Sequence, residues 1–286
     1  TNYLAVTGGA AGNFVISKAT PTLSVTNSPQ AYTGSPQSAT VSCQGGGAAS
    51  NISTGGSATQ TNAGTYAVTA DCAASTNYLA VTGGAAGNFV ISKATPTLSV
   101  TNSPQAYTGS PQSATVSCQG GGAASNISTG GSATQTNAGT YAVTADCAAS
   151  TNYLAVTGGA AGNFVISKID QTITFGTLSD KSFGDADFDV SATASSGLTV
   201  TFSSQTSSVC TVSTATVHLV AVGTCTIRAS QAGDGNYNAA SNVDQSFTVA
   251  TAATKFVIVP PSSGTVGTPT TVTVQAEKAD NSIDTN

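Results

Sequence analysis

Charge is what this chain has least of. Only 7% of its 286 residues are Asp, Glu, Lys or Arg, against roughly 25% in an ordinary soluble domain. The seven Lys and Arg stand singly and the net charge is −5, so no basic stripe exists to neutralise phosphates, and no nucleic-acid partner is expected. No basic amphipathic segment suits a membrane surface. No apolar run approaches the roughly 20 residues of a spanning helix, so no membrane insertion is expected in this segment. Histidine occurs once, as His218 in TATVHLVAV, where it alternates with Val217 and Leu219 and shares a strand face with Thr216. It reads as a solvent-facing strand residue. The repeats described below hold no His at all, so no Ser/His/Asp or Cys/His set can assemble there, and no catalytic residue is expected.

Gly, Ala, Ser and Thr fill the space that charge leaves. Val, Ile, Leu, Tyr and Phe recur among them in short alternating runs, a pattern that disordered segments lack. The expected class is therefore all-β. Repetition is the strongest signal: TNYLAVTGGAAGNFVISK begins at Thr1, Thr76 and Thr151, residues 1–75 and 76–150 are identical, and the identity runs on to Lys168. A period of 75 exceeds the usual solenoid unit, so each repeat reads as a small domain rather than one coil of a stack.

Strand signals choose the frame. ATPTLSVTN opens with a Pro that can start but not centre a strand, ATVSC puts Ala39, Val41 and Cys43 on one face, and GTYAVTADC does the same for Tyr66, Val68, Ala70 and Cys72. NFVISK, Asn88 to Lys93, reads as a last strand. The Gly clusters QGGGAAS, STGGSAT and TGGAAGN have no helix after them, so they are not phosphate loops and are expected to be turns. Domains are thus expected at 19–93 and 94–168. A different strand set follows at 169–250, with a further domain beginning at 251–286. Thr1–Lys18 reads as the C-terminal strands of a preceding repeat, and with no Met or signal peptide in front the sequence reads as a window on a longer polypeptide. Only two or three residues separate a last strand from the next first strand, which favours a stiff rod over loose beads.

TPTLSV, YTGSPQSATV, NAGTYAVTAD and NFVISKATPTL together resemble the tandem Ig-like repeats of large bacterial surface proteins, the mostly bacterial type of adhesin stalks. QTITFGTLSDKSFGDADFDVSATA, GTCTIRASQAGDGNYNAAS and QSFTV are similar to a second such module, and TKFVIVPPSSGTVGTPTTVTVQAE to the opening of a third. The resemblance implies tandem Ig-like β-sandwiches forming a non-catalytic spacer in a secreted or cell-surface fibre, with neighbouring copies of the same protein or a cell-surface anchor as partners. It carries no catalytic residue and no cofactor to transfer. The alternative is an adhesion module that recognises a glycan or protein on another surface.

The six cysteines fall two to a domain: Cys43 with Cys72, Cys118 with Cys147, Cys210 with Cys225. Each shares strand parity with apolar residues, and the even count reads as disulfides formed outside the reducing cytosol. Closing the roughly 30-residue span stabilises by about 3–4 kcal/mol, and the 15-residue one by about 3. A metal site would need more ligands nearby. Asp185, Asp187 and Asp189 in GDADFD form a candidate Ca²⁺ face, weighed against three charges on a solvated strand; Asp234, Asn236 and Asn238 are equally ambiguous. NIS at Asn51 and Asn126 fits the glycosylation acceptor pattern and is expected to be unmodified. Lys93 and Asp71, with Lys168 and Asp146, hint at an isopeptide crosslink, but Lys93 ends its strand and is expected to reach solvent. Tyr32, Tyr66 and Tyr78 recur in each copy and fit core or display equally well.

Overall fold

The computed structural model describes residues 12–253, together with 255–259, 267, 272–277 and 283. It is all-β, with no helix among the described residues, so no helix there is long and apolar enough to cross a membrane. The chain gathers into two compact units whose dividing line runs through the second repeat. One holds the residues up to Ser103 with Gln112–Gln135 and Tyr141–Phe164; the other holds Pro104–Pro111, Thr136–Thr140 and the residues from Val165 onward.

In the first repeat β1 (Leu23–Val25) pairs antiparallel with β3 (Val41–Cys43) to form a small sheet. A second sheet runs in the order β2 (Gln30–Ala31), β6 (Val81–Ser92), β5 (Gly64–Cys72), β4 (Ala49–Thr54). The β2–β6 contact is parallel, Gln30 opposite Ile91 and Ala31 opposite Ser92. Period-two alternation puts Val41 on the inner face of the small sheet and Val68, Ala70, Phe89 and Ile91 on that of the larger one. Together these form the core, with Leu23, Val25 and Tyr66 packed at its margin. Cys43 and Cys72 are disulfide-bonded across the two sheets, with Cα atoms 6.0 Å apart.

TGGAAGN is not a turn. It lies inside the 12-residue β6, which shifts register against β5 between Val68 and Thr69 and again between Ala70 and Cys72. Gly83 and Gly87 take φ of 62° and 102° at these irregularities, a backbone region in which Gly needs no Cβ accommodation. The cluster therefore bends a strand instead of ending one. QGGG and TGGS do form turns, at residues 44–46 and 55–56.

The second repeat reuses the plan with β7 (Leu98–Val100), β8 (Gln105–Ala106), β9 (Val116–Cys118), β10 (Ala124–Thr129), β11 (Gly139–Cys147) and β12 (Val156–Ser167). Its sheets are β7–β9 and β10–β11–β12–β8, and Cys118 is bonded to Cys147.

The third domain is built from β13 (Ile173–Phe175), β14 (Lys181–Ser182), β15 (Phe188–Asp189), β16 (Ala192–Ala194), β17 (Thr201–Ser204), β18 (Cys210–Ser213), β19 (Thr216–Leu219), β20 (Gly223–Ser230) and β21 (Val243–Ala250). Its sheets run β13–β16, β14–β21–β20–β17 and β15–β19–β18. Phe175, Val217, Ile227 and Phe247 fill the core, and Cys210 is bonded to Cys225. As in the repeats, a parallel contact closes the larger sheet, here Lys181 opposite Val249 and Ser182 opposite Ala250.

Beyond it, β22 (Lys255–Val259) pairs antiparallel with β23 (Thr273–Glu277). Most of the expected strand set between 260 and 286 lies outside the described residues, as do residues 1–11 of the expected preceding repeat. Gly12–Lys18 is described, and Phe14 and Ile16 there are 89% and 82% exposed, whereas Phe89 and Ile91, at the same places in β6, are 0% and 2% exposed.

Candidate functional site: the joint between domains

The recurring TNYL sits in a loop that leaves β11 and turns back to meet the chain entering its own domain. Ala94 N–H donates to Asn152 O and Leu154 N–H donates to Ala94 O, both at 2.9 Å, while Ser150 N–H closes the loop on Tyr153 O at 3.0 Å. Gly120 is the reason Tyr153 can lie where it does: a Cβ on Gly120 would fall within the Tyr153 ring, and its φ of +79° suits glycine.

This loop reaches the preceding repeat. Asn152 Oδ1 accepts the backbone N–H of Ala63 at 2.8 Å, and Asn152 Nδ2 donates to Asn62 Oδ1 at 3.1 Å. Tyr153 stands edge-on to Tyr32, with ring centroids 5.4 Å apart and planes at 77°, the arrangement favoured by aromatic quadrupoles. Lys93 Nζ donates to Ser150 O at 2.7 Å. All of these residues lie in one compact unit.

The other unit contains a second joint with the same parts. Asn236 Oδ1 accepts from Ala138 N–H at 2.8 Å and Asn236 Nδ2 donates to Asn137 Oδ1 at 3.3 Å. Tyr237 meets Tyr107 at 5.5 Å and 77°, and Lys168 Nζ donates to Asp234 O at 2.7 Å. The loop in the third domain is built differently. Asp234 Oδ1 accepts from the N–H groups of Asn236 and Tyr237 at 2.7 and 2.8 Å. Buried Gln171 donates to Asn238 O at 2.8 Å and to Gln231 Oε1 at 2.6 Å. Two unlike sequences thus present the same Asn–Tyr pair to the same receiving groups.

A second cluster stabilises each repeat internally. Asp71 Oδ2 accepts from Asn51 Nδ2 and Oδ1 accepts from Gly83 N–H, both at 2.7 Å. Asn51 sits at φ +50° beside the register shift of β4, and Gly83 at that of β6. One carboxylate on β5 therefore ties an irregularity on either side. The Asn51 hydrogen bond first, then that of Gly83, holds the Asp71 carboxyl below the ordinary carboxylate range. Asn126, Asp146 and Gly158 repeat the arrangement. The acceptor asparagine of the NIS pattern is thus engaged by Asp71, and Lys93 serves the joint rather than any partnership with Asp71.

Asp185, Asp187 and Asp189 do not share a strand face. Asp185 lies in a turn and accepts Ser182 N–H at 2.9 Å, Asp187 meets His218 Nδ1 at 2.7 Å, and Asp189 accepts from Thr216 Oγ1 at 2.7 Å. β15 is only two residues long, so the three carboxylates point to separate partners. Among the described residues no three His, Cys, Asp or Glu side chains converge as a metal site would require. Asn236 and Asn238 likewise have other tasks, Asn238 Nδ2 donating to Asp170 Oδ1 at 2.8 Å. His218 is exposed, its side chain 63% accessible. A groove of about 440 Å³ opens in the third domain beside β16 and β17, lined by Ala192, Leu198, Val200 and Phe202 among others.

Family models match residues 21–95 and 96–170 as MBG domain. The chain belongs to the MBG domain family. The two MBG domains coincide with the two identical repeats to within a few residues, so the tandem organisation rests on this match as well as on the repeat. No protein of curated function matches the chain. Among solved structures, an S-layer protein, rSbsC(31-844), aligns at 14% identity with a TM-score of 0.25, covering 94% of this chain and 45% of its own. The chain therefore spans less than half the length of that protein, and the likeness carries no argument about the MBG domains. The joint residues Tyr32, Asn62, Ala63, Asn152 and Tyr153 were not singled out as a set by sequence reasoning. The available signal was the return of Asn–Tyr in GDGNYN, in a domain that otherwise differs from the MBG repeats.

Proposed function

We propose that the chain is a non-catalytic structural spacer of an extracellular or cell-surface assembly, in which each domain is held to the next through its Asn–Tyr loop. The single observation that carries this reading is the recurrence of one joint geometry at both boundaries, once between identical MBG domains and once between unlike ones. A joint rebuilt from a different sequence points to the register between neighbours as the property that matters. Disulfides in all three domains favour maturation in an oxidising compartment. Neighbouring copies in a fibre, or a surface anchor, are the partners this role calls for, and Ig-like sandwiches are the fold type proposed for the modules. The test is electron microscopy of chains carrying different numbers of MBG repeats: particle length rises by a constant increment for each added repeat. Compact particles whose dimensions ignore repeat number would overturn the spacer reading.

The third-domain groove favours a second reading, an adhesion module for a glycan or protein. Its apolar lining with flanking Ser191, Thr193 and Thr199 is the composition of a small-ligand site. A glycan-array signal retained by the whole chain and lost on Phe202→Ala would support it, and absence of signal would remove it.

A further inference from the structure

We propose that the paired tyrosines of the joints are sites of oxidative tyrosine–tyrosine coupling, which closes each joint covalently. Among the described residues four tyrosines meet as two pairs, Tyr32 with Tyr153 and Tyr107 with Tyr237, at nearly the same separation and the same angle. Each pair links residues of neighbouring domains.

Hydrogen bonding separates these tyrosines from Tyr66. Tyr66 Oη donates to Asn62 O at 2.8 Å, which fixes its ring within its own domain. Tyr32, Tyr107, Tyr153 and Tyr237 are half-buried, and stacking on each other is the aromatic contact that holds them. Edge-on stacking alone would be served as well by phenylalanine, and the third domain shows that substitution. Phe183 occupies the place of Tyr32, its N–H donating to Ala250 O as that of Tyr32 does to Ser92 O. A phenol is therefore retained at both paired joints but absent from the corresponding position of the third domain.

The chemistry needs a one-electron oxidant of the peroxidase class with hydrogen peroxide. Each phenol loses one electron to the oxidant and one proton to water, giving two phenoxyl radicals. These join through their ortho carbons in one new C–C bond, and the two displaced ring hydrogens move to the phenoxyl oxygens, restoring both rings. The two electrons and two protons reduce one hydrogen peroxide to two waters. Holding the rings in contact makes the coupling effectively unimolecular, which favours it over reaction with solvent or with another chain. The coupling depends on joint geometry alone and stands whether or not the chain acts as a spacer.

The experiment uses the intact chain, brief illumination with tris-bipyridyl ruthenium(II) and persulfate as a small one-electron oxidant, and peptide mapping by mass spectrometry. The expected products, each lighter by two hydrogen atoms, are a link between two peptides of the repeat sequence, assigned to Tyr32 and Tyr153 by its loss in Tyr32→Phe and Tyr153→Phe and its persistence in Tyr78→Phe, and a link from a repeat peptide to the Tyr237 peptide, assigned to Tyr107 by its loss in Tyr107→Phe and its persistence in Tyr32→Phe. They should exceed any coupling of Tyr66 or Tyr78 by roughly tenfold, the advantage of contact over encounter. Tyr153→Phe, which keeps the ring and the stacking, should remove the first link and leave the second. Unfolding in denaturant before illumination should abolish the preference. Links spread evenly over the tyrosines, links only between chains, or hydroxylation of Tyr32 and Tyr153 without coupling would each overturn the proposal.

Discussion

Asn152 Oδ1 accepts the backbone N–H of Ala63, 89 residues earlier in the chain. Ala63 lies in one MBG domain and Asn152 in the next, so a side chain of one repeat satisfies the main chain of another. Asn152→Ala leaves that donor unpaired at a half-buried place, at a cost of about 1 kcal/mol. For a domain of this size such a loss lowers the melting temperature by roughly 4–8 °C. Asn77 occupies the same position in the first repeat, yet among the described residues its side chain meets no neighbouring domain, so Asn77→Ala serves as the control and should change little. Equal effects from both variants in calorimetry would remove the joint as the cause.

Gly120 and Gly121 both have positive φ, but only Gly120 lies under Tyr153. Gly121→Ala should cost about 1 kcal/mol, the strain of a left-handed alanine. Gly120→Ala adds displacement of the Tyr153 ring and should destabilise further, with loss of the ring-current shifts between Tyr32 and Tyr153 in the NMR spectrum. Retention of those shifts would show that the ring accommodates a Cβ.

The Asp71 carboxyl, held low by Asn51 and Gly83, makes folding acid-sensitive in a defined direction. Its folded pKa lies below its unfolded value, so the unfolded state binds the proton more readily. The contribution is therefore present above the ordinary carboxylate range and is lost as pH falls through the folded value. Asp71→Asn combined with Asp146→Asn should flatten the fall in denaturation midpoint below about pH 4, the unperturbed carboxylate value. An unchanged acid slope in the double variant would place the sensitivity elsewhere.

Reduction of Cys43–Cys72 removes a loop closure of 29 residues and should cost about 3–4 kcal/mol, enough to dominate the stability of a small sandwich. Thiol labelling of the unfolded, unreduced protein is expected to find almost no free cysteine in these pairs. Abundant labelling would contradict the disulfides.

Calcium should leave the melting temperature unchanged, because Asp185, Asp187 and Asp189 serve three different partners. A rise of several degrees that saturates with calcium would reveal a site, since a ligand bound only to the folded state must stabilise it.

The all-β class and the tandem organisation were legible because alternation at period two and an exact 75-residue identity do not depend on local detail. TGGAAGN was misread because glycine favours turns and bulges alike, and only the neighbouring strand decides which. The acidic triplet was misread because alternation suggests a common face, whereas β15 supplies just Phe188 and Asp189 and the chain turns before it. The joint stayed hidden for a different reason. Tyr32 and Tyr153 are 121 residues apart in sequence, and nothing local to either announces the contact. A strand-end position places Lys93 in solvent, and it is exposed there; what the sequence does not show is the backbone oxygen of Ser150 that its Nζ meets beyond the linker.

The bridge between Cys43 and Cys72 also sets how much slack each repeat can release. If a chain of these domains is pulled from its ends, the 29 residue steps from Cys43 to Cys72 stay out of the path of the load. Only 46 of the 75 residues in a repeat can then straighten, about 165 Å at ~3.6 Å per residue. A torn domain would therefore lengthen by little more than half of what its sequence allows, and by the full amount once the bond is reduced. Each repeat is in this sense a tether with a built-in stop.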